Sequence, residues 1–243
     1  MKIIKLNAID STNSFLKEMA ANSTLENFTV IVTQEQTNGR GQQESTWVSE
    51  PHKNLTTSIF TNNLNLETYY QKYLNFAVCL SIFEVLNTKK ISNLRIKWPN
   101  DIMAENKKIC GLLIENTIKG SKINNSIIGI GLNVNQEVFP SYLKNVASLK
   151  NLTNINFDLE LLLIEIVEKL KEKITILLSK EYGVLETEYL NVLYKKNIPT
   201  MFKDSNDVLF MGKIIGISDL GYLEIELEDE SIQQFGIKEV SLA

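Results

Sequence analysis

One histidine, two cysteines and two arginines are all that 243 residues supply of these side chains, and each shortage excludes a class of chemistry. His52 stands alone in SEPHKNL, so any Ser-His-Asp or Cys-His catalysis would have to pass through one loop residue. A histidine-rich transition-metal centre is excluded by number. Cys79 and Cys110 lack metal-ligand spacing and are too few for a disulfide framework. Both stand in apolar runs and read as small buried hydrophobes in a reducing compartment. A basic surplus is also missing: the net charge is −4 and the pI about 5.3, which argues against a protein that coats DNA or RNA. No apolar run approaches the roughly 20 residues of a membrane span. The opening MKIIKLNAID is interrupted by Lys5 and Asp10 and has no signal-peptide core. The expectation is a soluble, cytoplasmic protein without a DNA or membrane partner.

What is present suits a well-packed globular chain. Hydrophobic residues make up 44% and charged residues 22%, enough for one large domain with a small appendage. Residues 2–7 read as a strand, and 10–22 open with Asp10, Ser11 and Thr12 as helix-capping chemistry ahead of Phe15, Leu16, Met19 and Ala20. Strands are expected at 28–34, 54–60 and 94–99, and a helix of about six turns at 66–87. Residues 102–115 read as a hairpin turning at Glu105-Asn106-Lys107, and 126–135 as an apolar strand punctuated by glycines. Two helices are expected over 157–193, breaking near Gly183. After Pro199 short strands alternate with turn signals. The expected architecture is therefore an α+β core over 1–194 and a small all-β domain over 195–243.

Four stretches carry chemistry. QTNGRGQQESTW (36–47) places Arg40 between two glycines and Trp47 at the end of a polar loop, and a loop of about a dozen residues inside a compact domain usually serves a function. An arginine with glycine neighbours suits bidentate grip on phosphate. KWPNDI (97–102) ends a strand with a cation, an aromatic wall and two side chains at a turn, a set suited to a nucleotide. KKICGLLIE (107–115) sets Lys108 at the mouth of an apolar strand, with Gly111 allowing close approach of a ligand. GIGLNVN (129–135) lacks a third glycine and a following helix, so it fails the dinucleotide fingerprint, and no Walker A sequence occurs.

In this order, DSTN, GRG…W, KWPNDI, KKICGLLIE, GIGLNVN and a terminal β domain resemble the biotin–protein ligases over essentially the whole chain. The resemblance is to the short monofunctional type without an N-terminal DNA-binding domain. It implies a core related to class II aminoacyl-tRNA synthetases, with a mixed or antiparallel sheet flanked by helices, and an SH3-like C-terminal barrel. It further implies an enzyme that uses ATP and Mg²⁺ to convert biotin to biotinyl-5′-AMP. The biotinyl group would then pass to a lysine of a biotin carboxyl carrier domain, the enzyme acting as monomer or homodimer.

The same resemblance gives Ser11, Thr12 and Gln34 to the ureido ring of biotin. Gly39, Arg40 and Gly41 would fold over biotin and the adenylate phosphate, with Trp47 packing as that loop orders. Lys108 would stand between the biotin carboxylate and the α-phosphate, a fixed cation that lowers charge repulsion without moving a proton. Gly111, Leu112 and Gly129 would wall the biotin pocket and Asn133 would read the adenine edge. Lys97, Asn100 and Asp101 would lie near the ATP phosphates, Asp101 holding Mg²⁺ through water.

Two departures stand out. Gln42 occupies the place of a cation, and Gln42-Gln43-Glu44-Ser45-Thr46 is less basic than in many members, so the adenylate should be held less tightly. Ala243 stands where some members end in arginine, which leaves a C-terminal contribution to ATP binding open, with Lys238 a candidate substitute. Two alternatives stay open: a lipoate or octanoate ligase or transferase of the same fold, and a non-catalytic biotinyl-AMP sensor.

Overall fold

The computed structural model describes residues 1–43 and 45–243; Glu44, and with it the expected negative charge in the loop, lies outside the described residues. Two sheets organise the chain. The larger contains β1 (Ile3–Ile9), β2 (Thr29–Gln36), β3 (Leu55–Thr61), the two-residue β4 (Leu66–Glu67), β5 (Arg95–Lys97), β6 (Asp101–Ala104), β7 (Lys107–Lys119) and β8 (Lys122–Leu132). Its order is β1-β2-β3-β8-β7-β6-β5, with β4 also on β8. β1 and β2 run parallel and the other pairs antiparallel, so the sheet is mixed.

Strand alternation sorts the residues into two faces. Val30, Ile59 and Ile128 are aligned across the sheet and pack into the main core with α2 (Gln71–Thr88), α4 (Leu159–Leu178) and α5 (Tyr182–Asn191). Their neighbours Ile31, Phe60 and Ile127 point the other way and pack with Leu16 of α1 (Thr12–Asn22). Ile59 is fully buried, and truncating such a residue to alanine costs about 2–5 kcal/mol. α1 starts where it does because Ser11 accepts from the Ser14 amide while the Asp10 carboxylate accepts from the Ser11 amide.

Several expected boundaries move. Only Gln71–Thr88 of the 66–87 segment is α-helical, because Leu66–Glu67 pair with β8 and Thr68–Tyr70 form one 3₁₀ turn. The β6–β7 hairpin turns at Glu105 and Asn106, both with positive φ, as expected. β7 and β8 are longer than their apolar runs. They extend through polar residues to a second hairpin at Gly120, whose φ of +64° suits glycine. A short helix, α3 (Leu149–Thr153), held by a Ser148–Asn151 capping box, has no counterpart in the expected elements. The break in 157–193 falls at Ser179–Glu181, with Lys180 at φ +60°, and Gly183 lies inside α5.

The second sheet comprises β9 (Pro199–Asp204), β10 (Leu209–Ile217), β11 (Leu223–Leu227), β12 (Ile232–Phe235) and β13 (Val240–Leu242), in the order β12-β11-β10-β9-β13. Phe202, Phe210 and Phe235 stack through its interior. Among the contacts that tie it to the rest of the chain, the indole Nε1 of Trp98 donates to Gly221 O at 3.1 Å, and the buried Lys72 ammonium of α2 donates to Ser218 O at 3.1 Å. Among the described residues, no helix is long and apolar enough to cross a membrane.

Candidate active site

A cavity of about 410 Å³ opens on the α1 side of the large sheet and is closed on its far side by Phe202, Ile214, Ile237, Lys238 and Leu242 of the small one. Its floor is made by missing side chains. Gly111 of β7 and Gly131 of β8 are register partners, and Gly129 lies two residues along on the same face. A methyl group at Gly131 would sit 2.3 Å from Trp47 Cε2, so the indole lies directly on backbone. One at Gly129 would meet the Asn13 amide oxygen at 2.4 Å. The glycines are thus slots cut for Trp47 and Asn13.

The sequence reading gave Trp47 a latch at the end of a moving loop. The geometry is tighter: Gly41 N donates to Ser45 O at 2.6 Å, Trp47 N donates to Gly39 O at 3.0 Å, and Arg40 and Thr46 form an isolated bridge. Residues 39–41 thus fold back against 45–47. Gly39 is needed for close approach, since a methyl group there would lie 2.3 Å from Trp47 O. It is buried and lies outside the cavity lining. Arg40, Gly41, Gln42 and Trp47 do line the cavity, and the indole N–H is buried without a partner among the described residues. The Arg40 guanidinium donates through Nη2 to Glu115 Oε2 at 2.8 Å.

At one end of the cavity Thr12 donates twice to Gln36 Oε1, from its amide at 2.8 Å and its hydroxyl at 3.1 Å. Gln36 is therefore the glutamine of this site, and the assignment of Gln34 is corrected. Gln34 and Gln36 share a face of β2, but Gln34 is exposed there, whereas Gln36 is the last residue of the strand and meets the N-terminus of α1 at Thr12. Ser11 lines the same end.

Lys108 reaches the cavity through an irregularity. Met103 pairs with Lys108 and Ile102 with Cys110, leaving Ile109 as an extra residue. That bulge puts residues 108 and 111, which a regular strand would point to opposite faces, on the same face. The Lys108 ammonium then lies 2.7 Å from Asp101 Oδ1, over Gly111, where a methyl group would be 3.1 Å from Nζ. Lys97, Asn100 and Leu112 also line the cavity, but the Asn100 amide is engaged with Leu112 O at 2.5 Å. Asn133 lies outside the lining, buried behind Lys108, where its Nδ2 donates to Ala147 O and its Oδ1 has no partner among the described residues. No cluster of three metal-ligating side chains occurs among the described residues. Cys110 lies beside the site but is fully buried, and burial pushes its thiol far up, so it offers no nucleophile.

The sequence reading did not single out Asn13 or Gln36 for the site. The GIG pair was the signal for Asn13, because a glycine inside an apolar strand marks something pressed against it.

Residues 6–133 match the model of the biotin/lipoate A/B protein ligase family. The bifunctional ligase/repressor BirA of Bacillus spizizenii is 28% identical over 98% of this chain and 71% of its own length. The Escherichia coli protein of the same name is 30% identical over 53% of this chain and 39% of its own length. The structure of a biotin protein ligase from Aquifex aeolicus in complex with biotin and ATP superposes with a TM-score of 0.82 at 26% identity, covering 100% of this chain and 98% of that one. With the family model spanning more than half of its residues, the chain belongs to the biotin/lipoate A/B protein ligase family.

Proposed function

We propose that the protein is a biotin–protein ligase that activates biotin with ATP and transfers it to a lysine of a biotin carboxyl carrier domain. One observation carries this reading: a lysine fixed over a glycine floor, in a cavity with paired hydrogen-bonding groups at one end and an arginine loop along it. The ureido ring would sit at Ser11, Thr12 and Gln36, and the rest of biotin would run along Gly111, Leu112 and Gly129 toward Lys108 and Arg40. Gly39 would act indirectly, by allowing the turn that carries Arg40 and Gly41.

In the first step a biotin carboxylate oxygen bonds to the α-phosphorus and the bond to pyrophosphate breaks. Both reactants are anions, so a fixed ammonium between them stabilises the transition state, worth about 3–4 kcal/mol for a well-placed donor. In the second step the carrier amine attacks the acyl carbon, loses a proton and releases AMP. Lys97, Gln42 and Trp47 would flank the nucleotide, with Asn100 holding β7 in place beside it. Asn133, buried outside the cavity lining, is not positioned by this cavity to read the adenine edge. Mg²⁺ entering with ATP would offset charge on the departing pyrophosphate. Asp101 is already paired with Lys108 and fits only an outer place, through water.

We read residues 1–194 as the catalytic domain of class II synthetase type and 195–243 as an SH3-like domain. Biotin-dependent exchange of pyrophosphate into ATP tests the first step. A streptavidin blot of a carrier domain incubated with the protein, biotin and MgATP tests the second. Exchange driven by lipoate instead would assign the other branch of the family, and adenylate binding with no transfer would make the protein a sensor.

A further inference from the structure

Behind the Arg40 loop lies a polar chain that the chemistry above does not use. Glu115 of β7 stands on the same face as Gly111 but outside the cavity lining. Its Oε2 accepts from Arg40 Nη2 at 2.8 Å and from Asn13 Nδ2 at 2.8 Å, and Lys17 lies 3.8 Å from its Oε1. Asn13 is itself immobilised. Its Oδ1 accepts from Ser58 Oγ at 2.5 Å, its Nδ2 also bonds Leu113 O at 3.2 Å, and Gly129 leaves only the space its amide fills. Ser58 Oγ is in turn 2.7 Å from Thr12 Oγ1, which bonds Gln36. A continuous line of polar groups thus joins the Thr12–Gln36 end of the cavity to the guanidinium.

We propose that Glu115, braced by Asn13, is a positioning residue that holds the Arg40 guanidinium over the cavity so that its fork can grip the substrate's carboxylate or phosphate. This rests on the ligase reading for the identity of that anion, but the hold itself is a property of the free protein. A guanidinium carries five N–H donors on a rigid plane, so anchoring one amino group to a carboxylate orients the remainder toward a second anion. An exposed arginine on a turn of glycines and glutamines would otherwise lose rotamer freedom on binding, which weakens the grip. Glu115 also keeps a countercharge beside Arg40 before substrate arrives, drawing the turn onto the sheet.

Glu115→Gln tests this, because the amide keeps the shape and an acceptor for Asn13 while removing the charge. In the protein without ligand, hydrogen exchange at the Gly41, Ser45 and Trp47 amides should accelerate, whereas amides in β8 should not change. In pyrophosphate exchange the KM for biotin should rise roughly tenfold with little change in kcat, the pattern of lost uniform binding. In a double-mutant cycle with Arg40→Ala, the two losses should not add. Unchanged exchange in the turn, additive losses, or a loss confined to kcat or to Tm would each overturn the proposal. A wild-type protein that bound no biotin would overturn the ligase reading instead, since the exchange arm needs no ligand.

Discussion

Lys108 and Asp101 meet at 2.7 Å across the space that any side chain at position 111 would fill. The carboxylate sets where the ammonium stands, and the glycine keeps that place open. Lys108→Ala should therefore lower biotin-dependent pyrophosphate exchange by about 10²–10³-fold, the loss of one fixed electrostatic donor. Thermal stability should change little, because the lysine side chain is one-third exposed and its removal opens the buried Asp101 Oδ1 to the cavity. Near-normal exchange in this variant would remove Lys108 from the chemistry.

Gly131→Ala should expel Trp47. The new methyl group would lie 2.3–2.7 Å from three indole atoms, and the floor beneath is strand backbone that cannot yield. In a Trp98→Phe background the emission of Trp47 should shift to the red. Biotin affinity should fall at least about tenfold, because the turn carrying Arg40 is tied to Trp47 through the Gly39 carbonyl. Unshifted emission would show that the indole does not rest on this floor.

These two positions show what the sequence could and could not convey. Lys108 and Gly111 were legible because an apolar strand that admits lysine and glycine is locally inconsistent, and such inconsistency marks a site, whereas Gly129 was placed at the pocket only by the resemblance. The common face of Lys108 and Gly111 was not legible, since it depends on the bulge at Ile109, set by pairing with Ile102 and Met103. Gln34 and Gln36 stand two apart in the same polar stretch, and only the end of strand pairing beside α1 distinguishes them. The mostly polar residues 116–125, with only Ile118 and Ile123 apolar, hid the long β7–β8 hairpin, because pairing with one another rather than apolar alternation holds them in strands. The burial of Asn133 was not legible, as it depends on α3 folding back over β8.

Gln36→Ala and Gln34→Ala provide a paired test of the corrected glutamine. Gln36→Ala removes the acceptor of both Thr12 hydrogen bonds, leaving a buried donor unpaired, and should weaken biotin binding about 10–100-fold by calorimetry. Gln34→Ala lies in solvent and should bind as wild type. The reverse pattern would restore the earlier assignment.

Gln42 lines the cavity at the place that the sequence resemblance gives to a cation. Gln42→Arg should slow the release of biotinyl-AMP, by roughly threefold to tenfold for one partly exposed charge near a phosphate. Release followed by rapid dilution into unlabelled biotin and ATP measures this, and equal off-rates would show that residue 42 does not face the phosphate.

Lys72 supplies a pH-dependent hold on the C-terminal sheet. Its ammonium is buried, donating to Glu186 Oε1 at 2.9 Å and Ser218 O at 3.1 Å. Burial lowers its pKa, but the hydrogen bond and charge of Glu186 outweigh this and raise it above the ordinary lysine value. A group with its pKa raised by folding contributes all its stabilisation below the unfolded value, about 10.4, and loses it as pH climbs through the folded one. Lys72→Met should lower the urea midpoint at neutral pH by an amount equivalent to about 1–3 kcal/mol, discounted for the partly exposed Glu186. That gap between wild type and variant should hold constant from about pH 7 to pH 9. It should close only above the lysine range, where the Tyr73 hydroxyl, also raised by burial and bonded to Glu186, titrates in both proteins. A gap that closed between pH 7 and 9 would mean that Glu186 does not hold the ammonium in its charged form.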